Sequence, residues 1–183
     1  MNLVGENRRV FILGLLACVL GGYTYVTMPL KNTVMTKTEA TSDRPIFAFH
    51  AEKIAQFDVT YNGKQVNGKR TSEGWKSSDG TLLPSSVIDD FLVNLTKLVN
   101  LGEVERGEND QLSNYGLEPP VSQIVLDVEN TGPQRLLIGK HNPVNTSLYA
   151  LINQSSQVVM VGSIVSWEMR KLVDAIQSAA SAG

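Results

Sequence analysis

Residues 112 to 120 read Leu-Ser-Asn-Tyr-Gly-Leu-Glu-Pro-Pro, a run through which neither a helix nor a strand continues. Pro119 and Pro120 fix their own φ and donate no backbone hydrogen bond, and each pushes the residue before it toward extended geometry. Gly116 admits the turn that such a break requires. The run therefore predicts a packed structural hinge built from Tyr115, Gly116, Leu117, Pro119 and Pro120. Tyr115 and Leu117 enter the core from it, and two similar halves lie on either side.

Both halves carry strand patterns first and a helix pattern last. In the first, Phe57, Val59 and Tyr61 alternate with polar neighbours, the signature of a half-buried strand. Asn62-Gly63 and Asn67-Gly68 are hairpin dipeptides, which predicts a solvated ribbon ending at Gly74-Trp75. Pro84, Ser85 and Ser86 open a helix whose apolar stripe is Ile88, Phe91, Leu92, Leu95, Leu98 and Val99. Ser86 and Asp89 are spaced as a capping box, Asp89 and Asp90 fall in the first turn, and Gly102 is the expected stop. In the second half, Ile124, Leu126 and Val128 alternate and turn at Asn130 to Pro133 into a strand that runs through Ile138 and ends at Gly139. A polar loop follows from Lys140 to Ser147, then strands at Leu148 to Ile152 and Val158 to Val161. Ser163 is the expected cap of a last helix with its stripe at Val165, Met169, Leu172, Val173 and Ile176. Strands followed by one-sided helices predict an α+β domain, an antiparallel sheet covered by two amphipathic helices, with the order of elements hinting at a degenerate duplication.

The Tyr115-Gly116-Leu117-Glu118-Pro119-Pro120 run, the Gly74-Trp75 pair, the Leu137-Ile138-Gly139-Lys140 run and Tyr149 together resemble a bacterial envelope family known as domain of unknown function 4340, across roughly residues 46 to 176. The resemblance implies an envelope setting and association with ABC-type export components.

The residues point to an envelope setting on their own account. Val10 to Leu30 holds no charge, and about 21 helical residues at about 1.5 Å rise cross a bilayer's hydrocarbon core. Arg8 and Arg9 precede this run, which favours a cytoplasmic N-terminus. The expected organisation is a cytoplasmic N-terminus at 1–9, a transmembrane anchor at 10–30, a linker at 31–45, an extracytoplasmic domain at 46–177 and a frayed tail at 178–183. The protein would then be single-pass in a bacterial inner membrane with its body in the periplasm. Two other readings stay open: lipidation at Cys18 after Leu15-Leu16-Ala17, and ordinary signal cleavage. The length of the apolar run favours the uncleaved anchor.

The chemistry-bearing residues are few. Cys18 is the only cysteine, and the body holds two histidines, His50 and His141, with no second ligand at metal spacing. No phosphate-cradling glycine loop or nucleophile elbow occurs, and Glu103, Glu105, Glu108 and Asp110 lack the alternation of a calcium loop. The sequence therefore predicts no enzyme and no catalytic, cofactor-binding or metal residue. A net charge of -2 excludes a phosphate-binding basic face and with it nucleic acid. What remains as an interaction surface is Trp75, Lys140, His141 and Tyr149. The leading expectation is a non-catalytic accessory or scaffolding subunit of an inner-membrane complex, with its other subunits and, through residues 10–30, the bilayer as partners. The alternative is a periplasmic binding module for a solute, glycan or peptide, with Trp75 or Tyr149 as an aromatic wall beside the Lys140 to Ser147 loop.

Overall fold

The computed structural model describes residues 44–181. The anchor expected at 10–30, Cys18 and most of the linker lie outside the described residues. Among the described residues no helix is long and apolar enough to cross a membrane.

Among the described residues the fold is α+β: eight strands in one antiparallel sheet, and two α-helices. Strands β1 (Ile54–Tyr61), β2 (Lys64–Thr71) and β3 (Gly74–Lys76) form a meander that leads into helix α1 (Ser85–Thr96). The two-residue β4 (Gly102–Glu103) follows, and then β5 (Ser122–Val128), β6 (Gly132–His141), β7 (Ser147–Ile152) and β8 (Val159–Gly162) lead into helix α2 (Ile164–Ser181). The spatial order is β3-β2-β1-β5-β6-β7-β8-β4. The two meanders join where β1 pairs with β5, Val59 opposite Ile124, and three strands plus a helix stand against four plus a helix.

Asn62-Gly63 forms the first hairpin as expected, with φ of 49° and 76°, the left-handed pair that a tight turn between twisted strands requires. Asn67-Gly68 does not turn. It lies inside β2, opposite Asp58 and Phe57, where a β-carbon on residue 68 would come within 2.6 Å of the Phe57 ring. The glycine there makes room for an aromatic ring rather than for a bend.

Helix α1 stops at Thr96, short of Gly102. Leu98 is still buried, but as loop, and Val99 bridges to Pro45. Ile46 N–H donates to Leu98 O at 2.8 Å, so the domain's first residues are tied to the end of α1. Ser86 makes no cap: Pro84 holds the N-cap position without a side-chain bond, and Asp89 and Asp90 lie beyond the first turn. Strand β6 passes through Gly139 and Lys140 to His141, which confines the expected polar loop to residues 142–146. Helix α2 includes Ser178 and Ser181, whose hydroxyls donate to carbonyls four residues back, so the expected tail is helical to residue 181.

Inward residues of α1 and α2 pack with Phe57, Val59, Ile124, Leu126, Leu136, Ile138, Leu148, Ala150, Val159 and Val161 into the main core. Because strand side chains alternate faces, Leu137, Tyr149 and Leu151 emerge on the opposite face. There they meet a second, smaller cluster containing Tyr115, Leu117 and Val158.

Candidate functional site

The stretch around residues 112–120 is a cover on the back of the sheet. After β4 pairs with β8 at the far edge, the chain returns beneath β7 and β6 to reach β5. A 3-10 turn at Leu112–Tyr115 ends on Gly116, whose φ is 68°, and the Glu118-Pro119 bond is cis. Leu117 N–H donates to Leu112 O at 3.1 Å and Val121 N–H to Gly116 O at 3.1 Å, closing the turn on itself. A β-carbon on residue 116 would sit 3.0 Å from the Lys140 backbone nitrogen, and Gly139 lies directly against the Tyr115 carbonyl. The Tyr-Gly-Leu-Glu-Pro-Pro and Leu-Ile-Gly-Lys runs, separate in the chain, thus meet in space.

Tyr149 completes the seam. Its ring stands edge-on to Tyr115 with centroids 4.9 Å apart. The Tyr115 hydroxyl donates to the Asp110 carboxylate, which also accepts from Asn114 Nδ2 at 2.8 Å. These bonds, the tyrosine's first, hold the Asp110 carboxyl below its ordinary range, and the same bond raises the Tyr115 phenol. Arg106 fastens this segment to the β7–β8 turn, donating to Ser156 O at 3.1 Å and to Asp110 O at 2.6 Å. The acidic residues from Glu103 to Asp110 are a strapped connection, and among the described residues no cluster of His, Cys, Asp or Glu could hold a metal ion.

Trp75 lies elsewhere. It is 1% exposed in the main core, edge-on to Phe57 at 5.4 Å, with the Arg70 guanidinium 4.5 Å above its ring. Its indole N–H donates to Asp89 Oδ1 at 3.0 Å. Four strands separate β3 from β7, and Trp75 and Tyr149 belong to different clusters, so the two aromatics do not share a wall. Lys140 and His141 are both exposed at the end of β6, and His141 Nδ1 is 3.5 Å from Ser163 Oγ.

A different polar pair, not singled out by the sequence, sits between the helices. Asn94 of α1 donates to Glu168 Oε1 at 2.8 Å. Glu168 is 7% exposed, and among the described residues no donor reaches its Oε2. Glu168 lies at the edge of the α2 stripe, where its charge marks it as solvent-facing in a helical-wheel reading. Its burial becomes visible only when α1 is docked beside it.

No curated protein and no solved structure matches this chain. Residues 88–176 match the family model described as Domain of unknown function (DUF4340), and over that stretch, which holds Tyr115 to Pro120, Gly139-Lys140 and Tyr149 but not Gly74-Trp75, the chain resembles that family.

Proposed function

We propose that the protein is a non-catalytic accessory or scaffolding subunit of a bacterial inner-membrane complex, anchored through residues 10–30 with its α+β domain in the periplasm. Association with a transporter is the reading that the family resemblance favours. The observation that carries a docking role is on α2. Ile164 and Trp167, one turn apart, stand 56% and 46% exposed, while Tyr115, Leu117, Leu137 and Tyr149 pack together on the back of the sheet. Large apolar side chains held outward on a rigid helix fit a protein partner better than they fit water.

Purification from membranes in mild detergent at native expression, followed by mass spectrometry, tests this. Other inner-membrane subunits should co-purify in fixed ratio, and a Trp167→Asp, Ile164→Asp double substitution should release them. Recovery of the wild-type protein alone would contradict the proposal. Recovery alone with a small molecule bound would favour the solute, glycan or peptide module instead.

A further inference from the structure

Helices α1 and α2 run antiparallel where they touch, with Asn94 against Glu168 and Asp90 against Lys171. Between them is a cleft lined by Phe91, Leu95, Leu98, Ile164 and Val165, with Asn94 and Glu168 as its polar residues. The Glu168 carboxylate thus lies in an apolar slot, with one oxygen satisfied by Asn94 and the other unpartnered among the described residues. A buried carboxylate oxygen demands a donor, and a cationic donor answers it best. Lys171, about one turn along the same helix, is turned elsewhere: its Nζ lies 4.0 Å from Asp90 and 5.5 Å from the centre of the Trp167 ring.

We infer that this cleft is the socket for a lysine side chain of a partner subunit. The inference rests on the accessory-subunit reading and names the chemistry of its contact. The cleft holds a cavity of about 20 Å³, room for a water-sized group. A primary ammonium is a compact head of that size, whereas arginine presents a broad planar fork. The apolar lining and exposed Ile164 fit the four-carbon stem that carries a lysine's charge. An aminolipid headgroup offers the same ammonium on a two-carbon arm. Its phosphate would then be drawn in beside the Glu168 carboxylate.

The test uses full-length protein in detergent micelles, with the side-chain amide of Asn94 followed by NMR during titration with n-butylammonium chloride. n-Butanol, n-butylguanidinium, O-phosphoethanolamine and potassium chloride at matched ionic strength are the comparisons. A saturable shift with n-butylammonium, at least tenfold stronger than with any comparison, is expected. Glu168→Gln, which keeps the side-chain volume and an acceptor for Asn94, should weaken it at least tenfold, and Lys171→Met should leave it within twofold. Ile164→Ser, at an exposed position, should weaken it severalfold and decides the matter if Glu168→Gln fails to fold. No saturable shift, equal response to n-butanol or salt, or preference for O-phosphoethanolamine would overturn the inference, as would full affinity in folded Glu168→Gln. Binding of the probe by a protein that purifies alone would keep the socket and remove the complex. Partners without probe binding would do the reverse.

Discussion

The carbonyl oxygen of Tyr115 occupies the place where residue 139 would carry a β-carbon. Gly139 is therefore fixed by a backbone approach and not by a turn, and any side chain there forces the back-face cover off the sheet. Gly139→Ala should cost about 3 kcal/mol, at the upper end of overpacking changes because the obstruction is backbone. Gly107→Ala, where a β-carbon meets nothing within 4 Å, should stay within about 0.5 kcal/mol. Urea unfolding of both variants measures the difference, and equal costs would mean that the cover is loose.

Asp89 is the partner of Trp75 and not merely a solvated helix acid. Asp89→Ala should cost about 1–3 kcal/mol by leaving the buried indole N–H without an acceptor. Asp89→Asn, which keeps an oxygen in place, should recover most of that. Urea melts followed by tryptophan fluorescence would check both, and a cost near zero for the alanine variant would show that water replaces the carboxylate.

The core positions form a graded series. Leu95 and Leu172 are 1% and 0% exposed, and either one changed to Ala should lose about 2–5 kcal/mol. Ile164→Ala, at the exposed N-terminus of α2, should lose under about 1 kcal/mol. A loss at Ile164 as large as at Leu95 would place α2 in a different rotation.

Acid should loosen the back face. The Asp110 carboxyl is depressed, by the Tyr115 hydroxyl before the Asn114 amide, so its contribution is present above the ordinary aspartate value of about 3.9. It is lost as pH falls through the lower folded-state value. The Tyr115 phenol is raised by the same bond, so its contribution holds below about pH 10 and is lost as pH rises through the higher folded-state value. Tyr115→Phe should flatten both limbs of the stability profile. Unchanged limbs would mean that the bond does not form.

Much of this fold is legible in the sequence because its strands and helices each bury one face. The alternation from Ile124 to Val128 and the α2 stripe from Val165 to Ile176 appear where the periodicity places them. What escapes is decided between distant residues. Gly68 and Gly139 read as punctuation, but each is a glycine because another group, the Phe57 ring or the Tyr115 carbonyl, comes too close for a β-carbon. Leu98 extends the α1 stripe in sequence while belonging to a loop, since a residue leaving a helix can still point into the core. The pairing of β4 with β8 involves two residues more than 50 positions from their partners and leaves no local pattern. Glu168 is invisible for the same reason: its environment is made by α1.

Every functional reading here depends on which side of the membrane the domain occupies. A reporter active only in the periplasm, fused after Gly183, tests that side most directly. An anchored periplasmic domain gives an active reporter, with the fusion resisting alkaline extraction from the membrane and keeping its first residues by intact mass. An inactive periplasmic reporter alongside an active cytoplasmic one at the same junction would contradict it and remove the external accessory role.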